Sequence, residues 1–365
     1  MPDRIRKLLF SASAWNLAVP VAACIMLTAV WGRPPSWSLL PFVATALIAS
    51  VVVAVHHAEV VALRVGEPFG TLILALAVTV IEVSLIVSLM LSGGITASTL
   101  ARDTVYATVM IVCNGVVGLC LLMGSLRHHV LAFRVEGTAP ALSVLATLTI
   151  LTLVLPTFTS STPGPTLSPA QLVFVGVVSL TLYGIFVFVQ TVRHRGYFLP
   201  IGVDSEDVQP ASPSPAVALM SLCLLFLCLV AVVGLAKALA PTIEAAVETT
   251  STPRAVVGIA IALMVLLPET VAALRTALRD RMQTSFNLAL GSALATTCLT
   301  IPAVIVTSFA LGLRLDLGLP PKEMVLLVLT LMISAMTLAG GHSTVLQGAV
   351  HLVLFAVFLF LAIVP

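Results

Sequence analysis

Apolar and polar positions in this chain alternate in long blocks rather than residue by residue. Blocks of about 20 apolar residues, the length a helix needs to cross a bilayer, are set apart by short polar breaks. Eleven spans are predicted, at about 8–31, 37–63, 70–91, 104–124, 139–157, 170–191, 216–240, 254–274, 285–311, 323–339 and 345–364. The longest polar break, residues 193–215, reads RHRGYFLPIGVDSEDVQPASPSP and holds an acidic cluster at Asp204, Glu206 and Asp207. Its Pro and Ser content marks it as a hinge, and the cluster reads as a solvated loop or as a cytoplasmic cation sensor. The pattern thus predicts an all-α polytopic membrane protein: an N-terminal helix (1–34), a first five-helix repeat (35–192), a cytoplasmic hinge loop (193–215) and a second five-helix repeat (216–365). Five is odd, so the halves enter the membrane from opposite sides, which makes an inverted repeat.

Composition agrees. Of 365 residues 59% are hydrophobic and 9% charged, with a mean hydropathy of +1.17, more apolar surface than a soluble domain of this size uses. The bilayer is therefore the expected partner. The net charge of +2 comes without a basic patch, so nucleic acid is not. The six cysteines lie inside apolar runs and read as small packing residues. The basic N-terminus MPDRIRKLLF is read as the start of an uncleaved first helix. With that end inside, Arg4, Arg6, Lys7, Arg64, Arg127, Arg134, Arg193, Arg195, Arg275, Arg279 and Arg281 fall on cytoplasmic segments. Arg33, Arg102, Lys237, Arg254, Arg314 and Lys322 fall outside. This bias predicts a cytoplasmic N-terminus and an outside C-terminus, in the inner membrane.

Against that apolar background, Glu82 and Glu269 are the acidic residues near the centre of a span. An ionisable group there is costly and marks a site of function by default. Each stands in the second span of its half, so the two form a symmetric pair. Carboxylates suit a hard cation, or a proton in its place. Thr79, three residues before Glu82, shares its helix face. Pro268 removes a backbone donor and frees a carbonyl near Met264 or Val265, as a discontinuous helix would. The third spans carry Asn114 in one half and Asn287, Ser292, Thr296 and Thr297 in the other. Asn114, Ser292 and Thr296 are candidate ligands beside the glutamates, with interhelical packing the alternative for the hydroxyls. Glu59 with His56 and His57 beside it, and Glu244 near the opposite face, form a second near-symmetric set. Snorkelling at the interface is the plainer reading for them, a proton path or gate the other.

Catalytic signatures are missing. His56, His57 and Glu59 do not follow the metalloprotease HExxH order, no nucleotide-binding Gly-rich loop is present, and His342-Ser343 is the sole adjacent nucleophile–base pair. Not an enzyme but a transporter is expected, without a cofactor and driven by an ion gradient. A passive cation channel and an intramembrane enzyme are the rivals from other classes. Self-association into a homo-oligomer is left open.

Three stretches carry a family resemblance: GEPFGTLILALAVTVIEVSLI, ARDTVYATVMIVCNGVVGL and FNLALGSALATTCLTIP. They resemble the α-repeats of the Ca²⁺:cation antiporter superfamily, most of all the bacterial ChaA-type calcium/proton (sodium, potassium/proton) antiporters related to vacuolar cation/proton exchangers. The resemblance implies eleven helices with inverted five-helix halves. It also implies a midplane site where Glu82 and Glu269 bind Ca²⁺ or protons in competition, exchanging one for the other by alternating access. Asn114 matches the family's Ser-Asn pair and Ser292 the serine of its Gly-Ser motif. The chain departs from the pattern at Thr79 and Leu266, three residues before each glutamate, where many relatives have Asn before the first. It departs again at Ala295, where vacuolar relatives place Gln. Fewer oxygen ligands leave Na⁺(K⁺)/H⁺ exchange at the same site as the alternative.

Overall fold

The chain's structure, a computed structural model, describes residues 2–32, 35–36, 38–66, 69–93, 98–199, 213–250 and 253–364. Among the described residues eleven long helices carry it: α1 (Pro2–Ala29), α2 (Leu40–Val65), α3 (Phe69–Gly93), α4 (Leu100–His128), α5 (Val135–Thr157), α6 (Pro169–Arg193), α7 (Pro215–Thr250), α8 (Arg254–Ala277), α9 (Met282–Leu311), α10 (Pro321–Ala339) and α11 (Val345–Ile363). Among the described residues, ten of these, α2 to α11, are long and apolar enough to cross a membrane, while α1 has a shorter apolar stretch, Ala14–Ala29. Large apolar side chains such as Phe174, Phe226, Val306 and Met336 are exposed on the helices' outer faces, as lipid contact requires.

Helix α7 outruns its expected end at residue 240. It continues through Pro241 to Thr250, because a proline removes one backbone bond while the good helix formers of IEAAVE carry the spiral on. The corresponding fifth spans of the two halves share a start signal. Ser168 and Gln171 form a reciprocal cap on α6, and Thr344 and Gln347 form one on α11.

The chain condenses into two compact units, each drawing on both sequence halves. Residues 1–93 and 210–250 make unit 1; residues 94–209 and 251–365 make unit 2. In unit 1, α2 packs against α1, α3 and α7. Gly234 on α7 lies so close to Leu27 of α1 that a β-carbon there would collide with it. The buried His57 ring sits with Nε2 3.1 Å from the Asn16 carbonyl of α1.

In unit 2, α4 packs on α8 and α11, and α9 packs on α8 and α5. At one end two short strands pair antiparallel, β1 (Leu131–Ala132) with β2 (His342–Ser343). The His342-Ser343 pair is thus part of a backbone ladder. The other end repeats the device with the halves exchanged: Leu319 N–H donates to the Leu153 carbonyl (2.7 Å) and Gly318 N–H to that of Pro165 (3.0 Å). A loop leaving the third span of each half is thereby tied to the loop before the fifth span of the other, at this end through Gly318 and Pro165, while Leu153 belongs to the last turns of α5.

Candidate functional site

Glu82 lies in the middle of α3 in unit 1 and is 1% exposed. Thr79, one turn earlier, is buried beside it on the same face and donates its hydroxyl hydrogen to the Ala75 carbonyl (2.8 Å). That leaves the threonine oxygen's lone pairs for another partner. Glu269 lies on α8 in unit 2 and is half-buried. Its helix is continuous across Pro268, in contrast to the interrupted helix expected there, so the proline leaves one carbonyl without its usual donor and does no more. The neighbouring Thr270 turns its hydroxyl back to the Leu266 carbonyl (2.7 Å).

Among the described residues π turns interrupt four helices, at Ile150–Val154 on α5 and Val189–Arg193 on α6 as well as on the third span of each half. Helix α4 widens into a π turn at Ile111–Val116, and α9 does so at Thr296–Thr300. The first turn carries Asn114 and the second begins at Thr296. Such wide turns inside helices cluster at functional sites, since they leave backbone carbonyls with altered partners. Of the three expected polar positions, Asn114 and Thr296 therefore sit on π turns of the third spans, and Ser292 lies one turn before the second.

Asn114 is fully buried, and both ends of its amide are engaged. Nδ2 donates to Thr330 Oγ1 on α10 (2.8 Å), and Oδ1 lies 3.2 Å from His351 Nδ1 on α11. An amide oxygen can only accept, so Nδ1 carries the imidazole hydrogen and Nε2 accepts from Thr337 Oγ1 at 3.1 Å. His351, Thr330 and Thr337 were missed by the sequence reading. The signal was there for His351, an ionisable side chain within the apolar AVHLVLF of the last span. Close approach of α4 and α11 makes the pairing feasible: a β-carbon on Gly348 would meet Leu122 N at 2.5 Å, and one on Gly118 would meet His351 Cβ at 2.9 Å.

On α9, Thr296 is buried and Ser292 half-buried. The Thr296 N–H is shared between the Ser292 and Ala293 carbonyls. Asn287 serves the fold: Nδ2 donates to the Phe198 carbonyl and Oδ1 accepts from Gln283, which also caps the Arg134 N–H. His56 and Glu59 are exposed on α2. The side chain of Glu244 and the acidic cluster Asp204, Glu206 and Asp207 lie outside the described residues. Among the described residues, no group of three or more His, Cys, Asp or Glu side chains is gathered as a metal cage.

Comparison with known proteins agrees with this architecture. The profile of the family described as "Sodium/calcium exchanger protein" matches residues 9–192 and 220–364. A Sinorhizobium fredii protein named as an ionic transporter, y4hA, is 46% identical, covering 96% of each chain. The "Sodium-potassium/proton antiporter ChaA" of Escherichia coli is 36% identical, covering 94% of each. Among solved structures, native YfkE superposes with a TM-score of 0.72 at 18% identity, over 96% of this chain and 99% of that one. The H⁺/Ca²⁺ exchanger CAX gives 0.71 at 15%, over 97% and 88%. At these identities the two structural likenesses are likenesses of fold.

Proposed function

This chain belongs to the sodium/calcium exchanger protein family, and on that premise we propose that it exports cytoplasmic Ca²⁺ in exchange for protons at a site formed by Glu82 and Glu269. It is an exchanger-type secondary transporter with multiple membrane-crossing helices. The observation that carries the finer reading is the placement of Glu82, a carboxylate 1% exposed at the centre of an apolar helix, with Glu269 at the matching place in the other half. Two ionised carboxylates match the charge of one divalent cation, and the same two carboxyls protonated are neutral. Exclusive occupancy by cation or protons is sufficient for exchange, with access alternating between the two faces. Thr79, Asn114, Ser292 and Thr296 supply neutral oxygens. Asn114 does so with an amide already oriented by His351 and Thr330. The protein sits in the inner membrane with its N-terminus in the cytoplasm.

Two observations favour a second reading, Na⁺(K⁺)/H⁺ exchange at the same carboxylates. The 36% identical relative is named for those ions, and Leu266 offers no oxygen at the offset where Thr79 precedes Glu82. Proton movement in everted vesicles carrying a pH gradient separates the readings. Wild type should collapse the gradient on addition of its cation, whichever of Ca²⁺, Na⁺ or K⁺ that is, and Glu82→Gln and Glu269→Gln should not. Normal exchange by both variants would remove the carboxylate pair from the mechanism.

A further inference from the structure

At the end of unit 2 where α4, α8 and α10 begin and α11 ends, the helices leave a cavity of about 300 Å³. Two of its polar atoms are buried and have no hydrogen-bond partner: the Tyr106 hydroxyl and Glu323 Oε2. Tyr106, one of the residues lining the cavity, is 4% exposed, with its ring held edge-on against Phe358. Glu323 interacts electrostatically with Tyr106 and Asp103 and, with the opposite sign, with Arg102 and Lys322.

The charges in the cavity differ in their commitments. Asp103 is answered by Arg102, whose Nε and Nη2 each lie 2.8 Å from Oδ1, while Thr99 donates to Oδ2 at 3.0 Å. Arg102 is held in place by the Gly318 carbonyl (2.9 Å). Lys322 donates to the carbonyl of Leu361, another residue of the cavity lining (3.3 Å). The stretches of α8 and α11 that line the cavity add no further described charge, and the side chain of Arg254 lies outside the described residues. Glu323 is left as the carboxylate without a dedicated cation. A hard metal ion wants six or more oxygens and tolerates neither the guanidinium nor the ammonium nearby. A proton needs one carboxylate and a path.

We propose that this cavity is a proton-loading vestibule, in which Glu323 takes a proton from water at its face of the membrane and Tyr106 relays it inward. In the relay, the protonated Glu323 gives its proton to a water in the cavity, that water gives one to the phenol oxygen, and the phenol releases its own to water deeper in the unit. Tyr106 ends unchanged and one proton has moved. The direction inward is set by the helices. Asn114 lies eight residues beyond Tyr106 on α4, about 12 Å, and Glu269 ten residues beyond Ile259 on α8, about 15 Å. The charge bias of the loops assigns this end to the outer face, from which protons would enter. The inference rests on the exchange reading above.

The test uses full-length protein reconstituted in vesicles, with the pH varied on each face separately, and compares wild type with Glu323→Gln, Glu323→Asp and Tyr106→Phe. Glu323→Gln and Tyr106→Phe should slow cation-triggered proton movement about tenfold or more, in the range of a lost proton-transfer group. They should flatten the dependence on outer-face pH while equilibrium binding of radioactive Ca²⁺ or Na⁺ stays as in wild type. Glu323→Asp should restore most of the rate. Should Glu323→Gln not fold, Tyr106→Phe, which keeps the ring against Phe358, carries the test. Wild-type rates and pH profiles in both variants would overturn the vestibule, as would loss of cation binding in step with rate. A wild type that moves no protons with any cation would instead overturn the exchange reading.

Discussion

His351 Nδ1 and Asn114 Oδ1 meet at 3.2 Å in the core of unit 2, joining the last helix to the π turn of α4 across 237 positions of sequence. The imidazole thereby fixes which way the amide of Asn114 faces, because Thr337 occupies its other nitrogen and Thr330 the amide's. Removing the ring leaves a fully buried amide oxygen without its donor, which costs about 1–3 kcal/mol. His351→Ala should therefore lower the thermal unfolding midpoint and slow exchange. His351→Gln, which keeps a donor, should recover part of both. Unchanged exchange in a stable His351→Ala protein would show that the orientation of Asn114 is irrelevant to transport.

The pairing depends on how closely α11 approaches α4. A methyl group on Gly348 would stand 2.5 Å from Leu122 N, and backbone cannot yield as a flexible side chain does. Gly348→Ala should force the helices apart and separate His351 from Asn114, at about 1–3 kcal/mol. Gly184→Ala on α6, where a β-carbon meets nothing within 4 Å, is the matched control and should be close to neutral. Denaturation of the two purified variants in detergent gives the comparison.

Why the sequence revealed some of this and not the rest follows from what each feature leaves in the residue pattern. Span number and the inverted plan are written in the apolar blocks, and Glu82 and Glu269 stand out because a carboxylate inside such a block is costly. The π turns leave no trace, since the stretches Ile111–Val116 and Thr296–Thr300 hold neither proline nor any other break in the residue pattern that an α-helix would lack. Pro268 and Pro241 mislead in the same way: both sit inside continuous helices. The partners of Asn114 come from α10 and α11, and their proximity is a fact of packing through Gly118 and Gly348, which no local spacing encodes.

The proposed competition between cation and proton at Glu82 and Glu269 would have a fixed sign. Lowering the pH protonates the carboxyls and removes the charge that holds the cation, so the apparent affinity for cation should fall as pH falls on the face where the site is open. Glu82→Gln and Glu269→Gln should each abolish exchange and flatten this pH dependence of cation binding. Titration of radioactive Ca²⁺ or Na⁺ binding between acid and alkaline pH checks it, and a pH-independent wild-type affinity would contradict shared occupancy.

Thr79 tests the ligand set more finely. Its hydroxyl hydrogen is committed to the Ala75 carbonyl (2.8 Å), so toward Glu82 it can only accept, the polarity a cation needs. Thr79→Val keeps the shape, the burial and the helix, and removes that oxygen. Binding of a dehydrated cation should weaken by about tenfold, roughly 1.4 kcal/mol, with little loss of stability because the lost hydrogen bond returns a helical carbonyl to its ordinary backbone partner. Thr79→Ser, which keeps the oxygen, should bind like wild type. A valine variant that bound cation normally would remove Thr79 from the site and leave Glu82 to act with oxygens from other helices.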